Sequence, residues 1–329
     1  MGIRFSIISR LLAIICLTNM GLIASAEMPK LVFCAQWLPQ AQFAGYYVAL
    51  NKGFYEEAGI QVEIIHPTVT VNPLEHLLSG RADVASLFLI TAINSRFEGK
   101  ELINIGQLSH QSAIMFVSKK ESGIESIEDF DGKRVGVWMS GFQEIPYSLM
   151  ADNKLSVEWV PILSTVNLFL MGGLDAMTVM WYNEYKQIYL AGIDHEELNT
   201  FFMADYDYNI PEDGLYVLEH TLENKSEELK AFLEATLRGW DYAAENKEYA
   251  IELVVQLMRD AYIPSSYAHQ RWMLDKVLEQ QFNQGSAADR LYLSKNDFDK
   301  AVQVIERISN KTRPFTYNDF FRRLIERKD

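Results

Sequence analysis

The chain has 329 residues, 49% of them apolar and 22% charged, with a formal net charge of −14. That length and apolar share suffice for two modest domains with buried cores. The acidic balance speaks against nucleic acid or an anionic membrane surface as partner, because both are held by basic patches.

Arg4 and Arg10 precede an apolar run over residues 11–23, and Ala24-Ser25-Ala26 supplies the small residues a signal peptidase requires before Glu27. Residues 1–26 therefore read as a removed signal peptide, leaving a soluble periplasmic chain. An apolar core of about 13 residues is short of the roughly 20 needed to span a bilayer. Cys16 is preceded by Ile15, where a lipidation signal needs Gly, Ala or Ser, so no lipid anchor is expected. Cys34 is then the single remaining cysteine. It excludes an intramolecular disulfide, and within an apolar strand it reads as a small core residue.

Strands and helices alternate from there. Residues 31–36 read as a strand, 42–58 as a helix closed by Gly59, and 60–65 as a strand. Asn72-Pro73-Leu74-Glu75 has the cap, first-turn proline and carboxylate of a helix start, and that helix runs to Gly80. A strand over 83–87, a helix over 90–97 and a strand over 102–108 follow. After Gln111 the alternation restarts, with strands over 113–118, 133–137, 157–160 and 176–180. Between them lie a capping-box start at Ser126-Ile127-Glu128-Asp129 and a helix from about 164, and another helix begins at Tyr182. From about Leu222 long helical periodicity takes over, with Leu229, Phe232, Leu233, Leu237 and Trp240 on one face. Further helices fit 249–259, 265–281 and 295–308. The pattern is two α/β lobes followed by helices.

Two segments carry candidate ligand contacts. The first strand ends in Trp37-Leu38-Pro39, followed at once by Gln42, Phe43, Tyr46 and Tyr47. Rings and amides thus gather where a parallel-sheet strand stops, the place where open α/β sheets hold ligands. Tyr46 and Tyr47 are successive on a helix, so at most one reaches a cleft. At the end of a second-lobe strand, Tyr182-Asn183-Glu184 offers another ring, an amide and a carboxylate. The plainer readings are that Trp37 is a core residue under the first helix and that Glu184 is a solvated acid favoured by a helix dipole. His66 and His110 stand without a paired carboxylate or nucleophile and read as structural, and Tyr206-Asp207-Tyr208 reads as packing near a lobe crossing. Neither Cys/His metal spacing nor a nucleophile elbow occurs, so no metal or cofactor is expected.

Four stretches resemble a known family: WLPQAQFAGYYVALNKGFYEEAGIQVEI at 37–64, SGRADVA at 79–85, SGIESIEDFDGKRVGV at 122–137 and GGLDAMTVMWYNEY at 172–185. The second and third are similar to many binding proteins, including sulfonate and nitrate binders. Together with the first and fourth they resemble the periplasmic proteins that capture the pyrimidine precursor of thiamine, relatives in fold of the eukaryotic thiamine-pyrimidine synthases.

The resemblance implies a type II periplasmic binding protein fold, with two α/β lobes joined by a two-crossing hinge. Lobe 1 would be discontinuous, 27–112 and 205–329, and lobe 2 would span 113–204, with crossings near 111–113 and 204–212. It also implies a solute-binding component of an ABC importer, with a permease in the inner membrane as partner. An extracellular sensor subunit is the alternative. A flat aminopyrimidine needs stacking and a carboxylate or amide at its edge, which Trp37, Gln42 and Tyr46 on one side and Tyr182, Asn183 and Glu184 on the other would supply. Relatives also hold anions at backbone amides after the strand ending at Trp138, but Phe142 and Glu144 beside Ser140, Gly141 and Gln143 weaken such a site. The synthases carry a lysine after a Gly-x-x-Asp segment, a histidine four residues later and a cysteine-rich iron-binding run. At the matching positions stand Leu87, Thr91 and a cysteine-free 206–218. Binding rather than catalysis is expected.

Overall fold

The computed structural model describes residues 28–325 except 69–70, 139–140, 142, 164 and 283–288. The signal-peptide reading of residues 1–26 and the start at Glu27 lie outside the described residues, as do Ser140 and Phe142.

Among the described residues ten strands form two sheets: β1 (Lys30–Cys34), β2 (Gln61–Ile65), β3 (Val84–Phe88), β4 (Leu102–Gln107), β5 (Ile114–Lys119), β6 (Arg134–Trp138), β7 (Glu158–Ile162), β8 (Ala176–Met180), β9 (Leu198–Phe202) and β10 (Asp213–Leu218). The first sheet has the order β2-β1-β3-β10-β4 and the second β7-β6-β8-β5-β9. β1 runs parallel to β2 and β3, and β6 runs parallel to β7 and β8. β10 is antiparallel to β3 and β4, and β5 is antiparallel to β8 and β9. Each sheet thus holds one reversed strand, and each reversed strand is the first to follow a passage of the chain from the other sheet. Strands such as β4, LINIGQ, and β8, AMTVM, are buried at every position, because helices cover both faces of a mostly parallel sheet.

Two sequence expectations change. The helix expected over 42–58 is a 3-10 turn at Ala41–Phe43, a helix at Ala44–Asn51 and a short helix at Phe54–Glu57. Gly53, with φ +73°, breaks it in a left-handed conformation that costs glycine little. β9 and β10 were not anticipated. β9 is an edge strand, LNTFF, with mixed burial, and β10 opens with Asp213-Gly214, a pair that reads locally as a turn.

The long helix Ser226–Glu245 packs on Ala44–Asn51 at close range. A Cβ on Gly239 would lie 2.1 Å from the carbonyl oxygen of Gly45, and one on Gly45 would lie 2.2 Å from the Trp240 ring. The two glycines let the helices touch through their backbones.

Two C-terminal helices tie the sheets together. In Tyr267–Phe282, Gln270 Oε1 accepts the Ala41 amide at 2.7 Å. Trp272 Nε1 donates to the Trp181 carbonyl at 3.1 Å with the two indoles 5.0 Å apart, and Gln280 Nε2 donates to Glu212 Oε2 at 3.3 Å. In Lys295–Ser309, Arg307 pairs with Asp152, whose Oδ2 also accepts the Tyr208 hydroxyl at 2.6 Å.

Candidate functional site

β1 stops at Cys34, and the chain after it is fixed by hydrogen bonds. Ala35 N–H donates to the Ile65 carbonyl at 3.0 Å, and Gln36 N–H to Ser86 Oγ at 2.9 Å. The Gln36 side chain then donates from Nε2 to Asp213 Oδ1 at 2.6 Å. Gln42 Nε2 donates to Asp213 Oδ2 at 2.9 Å, and Gln40 Nε2 donates to Gln42 Oε1 at 2.7 Å. Two glutamines of the segment after β1 therefore converge on one carboxylate at the first residue of β10, and a third, Gln40, holds Gln42. Asp213 is half-buried. Burial raises its pKa to about 6, and the two amide donors pull against that rise.

Its neighbour Glu212 is a joint between segments. Its Oε1 accepts from Ser112 Oγ at 3.0 Å, Ala113 N at 2.5 Å and Ile114 N at 3.2 Å. Asn209 Oδ1 accepts the Ser112 amide at 2.8 Å, so residues of both passages between the sheets are bonded to each other.

From the second sheet, β8 delivers Tyr182, Asn183 and Glu184. Tyr182 is buried, and its phenol is pushed up by burial and then by the charges of Asp213, Glu212 and Glu184, which places the ring among three carboxylates. Glu184 Oε2 accepts the Met180 amide at 2.8 Å, and Oε1 accepts Asn183 Nδ2 at 2.7 Å. Burial holds Glu184 up at about 7. Its carboxylate locks the strand end into the helix Glu184–Leu190, a role the sequence reading as a solvated acid or ligand partner did not contain.

Trp37 stands 39% exposed. Its carbonyl accepts from His66 Nδ1 at 2.6 Å; a carbonyl only accepts, so Nδ1 carries the proton and Nε2 takes the Tyr47 hydroxyl at 3.3 Å. Burial lowers His66, and its ring pins the strand end. Tyr46 does not offer a ring face. Its ring stacks on Phe33 at 4.4 Å and meets Trp240 edge-on at 6.0 Å inside the core, leaving its buried phenol within the electrostatic field of Asp213. The large apolar residues of Ser226–Glu245 claim that face, which is why the expectation of Tyr46 as a stacking residue fails. His110 Nε2 donates to the Arg290 carbonyl at 3.2 Å, and Tyr208 is buried on Asp152. Burial raises the Cys34 thiol to about 12, so it is an inert core group.

On the opposite side Gly141, with φ +84°, approaches the first turn of Leu89–Phe97 so closely that a Cβ would lie 2.2 Å from Thr91 Oγ1. The start of Glu144–Asp152 is occupied from within. Glu144 is buried, its carboxylate raised by burial, lowered by bonding to its own amide and raised again by the Glu98 charge. An anionic ligand at this helix start would meet a carboxylate already there.

Two α/β sheets, each with one reversed strand after an intersheet passage, and polar strand ends facing each other between them, define the fold of the periplasmic binding proteins. The periplasmic aliphatic sulphonate binding protein SsuA from Escherichia coli superposes with a TM-score of 0.64 at 15% identity, over 88% of this chain and 95% of that one. Residues 40–250 match the NMT1/THI5 like family, and the chain belongs to that family. A formylaminopyrimidine-binding protein from Halalkalibacterium halodurans is 25% identical over 293 residues, 85% of this chain and 87% of that protein. A 4-amino-5-hydroxymethyl-2-methylpyrimidine phosphate synthase from Legionella pneumophila is 24% identical over 246 residues, 70% of this chain and 75% of that protein.

The residue that sequence reading missed is Asp213. Its signal was the pair Glu212-Asp213 directly after Pro211, two acids between apolar residues at the start of a segment that returns to the first sheet.

Proposed function

We propose that this chain is the exported, periplasmic solute-binding component of an ABC-type importer, and that it captures a small, flat nitrogen heterocycle of the aminopyrimidine class between its lobes. The observation that carries this reading is the meeting of Gln36, Gln42 and Asp213 from one sheet with Tyr182 from the other, beside a half-exposed Trp37. The lobes are residues 27–112 with 205–329, and 113–204. A ligand touching both stabilises the closed arrangement by its greater affinity for it. Trp37 supplies a stacking face, and Gln42, Tyr182, Asn183 and Glu184 shape the polar wall. An inner-membrane permease receives the ligand. Export rests on residues 1–26, and an intact Met1 or an acylated Cys16 in the mass of the secreted protein overturns it.

Binding without turnover is supported by Leu87 within β3 and Thr91 in the following helix, at positions where the resemblance to the synthases asks for lysine and histidine. Among the described residues no group of three or more His, Cys, Asp or Glu side chains converges as a metal-binding set. Calorimetric titration with formylaminopyrimidine and with 4-amino-5-hydroxymethyl-2-methylpyrimidine tests the reading. One-to-one binding of at least one of them is the expected result. No binding of either, with an alkanesulfonate or nitrate bound instead, refutes it.

A further inference from the structure

Three carboxylates crowd the cleft: Glu184, Glu212 and Asp213. Among the described residues none of them forms an ion pair with Lys, Arg or His, although ion pairs occur elsewhere, as between Arg290 and Asp241 at 2.7 Å. Buried carboxylates are ordinarily paired with a cation or saturated by donors. Glu212 is saturated, with Ser112, Ala113, Ile114 and Gln280 all donating to it. Glu184 has a backbone amide on one oxygen and a side-chain amide on the other.

Asp213, like Glu184, receives one donor on each oxygen, from Gln36 and Gln42, whereas a carboxylate has about four acceptor positions. It differs from Glu184 in two respects. It is only partly buried. The amide that holds it also presents Gln36 Oε1, an acceptor on a side chain 9% exposed that has no hydrogen-bond partner. The carbonyl is carried by the same side-chain amide whose Nε2 donates to Asp213. A surface with spare acceptors and no cation is complementary to a ligand with adjacent N–H donors.

We infer that Asp213, with Gln36 Oε1 beside it, is the anchor that selects the ligand, and that it takes an amidine-type edge, an exocyclic amine next to a protonatable ring nitrogen. This rests on the cleft being the ligand site. Gln36 and Gln42 are positioning residues: they fix the carboxylate plane, and Gln40 fixes Gln42. An oxo-substituted ring, which turns an acceptor towards the same surface, is excluded by repulsion between lone pairs rather than by size.

The test is calorimetric titration of the full mature chain with 4-amino-5-hydroxymethyl-2-methylpyrimidine and with its 4-oxo counterpart. The wild type is expected to favour the amine by about tenfold or more, the weight of a charge-assisted hydrogen bond. Asp213→Asn is expected to abolish that preference while moving the affinity for the oxo compound by less than about threefold. Equal binding of the two compounds by the wild type overturns the inference, as does an Asp213→Asn protein that keeps the preference. Loss of the preference in Glu184→Gln but not in Asp213→Asn moves the anchor to Glu184 and also overturns it. Should Asp213→Asn fail to fold, the wild-type comparison and a several-fold loss of preference in Gln36→Met read the same point, and a Gln36→Met protein with the full preference counts against it. A wild type that binds neither compound brings down the cleft reading itself, an outcome distinct from binding both equally.

Discussion

Glu212 Oε1 accepts the backbone amide of Ala113 at 2.5 Å, so a side chain from the return passage between the sheets is bonded to the backbone of the outward one. The same oxygen takes Ser112 and Ile114, and the other takes Gln280 from the C-terminal helix Tyr267–Phe282. Removing the carboxylate leaves these donors buried without an acceptor. Glu212→Ala is expected to lower stability by about 2–4 kcal/mol. Glu212→Gln, which keeps one acceptor, should cost less than half as much. Urea denaturation of both variants checks this, and an Ala variant as stable as wild type would mean that the joint carries no energy.

A second expectation concerns pH. Burial raises Glu184 to about 7 and Glu212 to about 8 from an ordinary 4.5, so the folded chain holds protons there that the unfolded chain has already released. For such raised acids stability is fully present below the unfolded value and is lost as pH climbs through the folded one. Burial lowers His66, His110 and His269 from 6.5, and these act in the opposite sense, but only below that value. Between pH 6.5 and about 8 the carboxylates act alone, and the denaturation midpoint of the ligand-free protein should fall steadily. Glu212→Gln should flatten the slope. A midpoint that rises over this window contradicts the assignment.

Gly239→Ala places a methyl group 2.1 Å from the Gly45 carbonyl oxygen and 2.7 Å from Ala49 Cβ. Neither helix can move without disturbing Trp240 and Phe232, which are fully buried. The expected cost is about 3 kcal/mol, seen as a clear loss of thermal stability. A variant with unchanged melting would show that the helices separate freely.

Trp37→Ala should leave stability within about 0.5 kcal/mol of wild type, because the ring is 39% exposed and the bond from His66 goes to the main chain. Its affinity for an aminopyrimidine should drop by about fivefold, the value of one stacked ring. Titration of the two proteins side by side decides it, and equal affinities take the indole out of the site.

Much of this arrangement was legible in the sequence because it is local. Asn72, Pro73 and Glu75 form the helix start that their order announces, with the Asn72 side chain on the Glu75 amide and the Glu75 side chain on the Asn72 amide. The strand before Trp37 and the strand before Tyr182 are where the alternation puts them. What sequence alone did not reveal is long-range. Gln36 and Asp213 are 177 positions apart, and no period or motif joins them. β10 was missed for the same reason: its partners β3 and β4 lie more than a hundred residues earlier, and its opening Asp-Gly reads as a turn until those partners are present. Tyr46 looked available because the helix Ser226–Glu245 that buries it is just as distant in sequence.

The two C-terminal helices reach across to the second sheet's side: Trp272 on Trp181, and Arg307 on Asp152. Parting the lobes must break or carry along these contacts. The free energy of opening is therefore set in part by residues beyond 266, and a protein whose binding-competent form is only fractionally populated loses apparent affinity by that fraction. Substitutions in the tail can thus retune how tightly and how long a ligand is held while every residue that touches it stays the same, which separates the evolution of affinity from that of specificity along the chain.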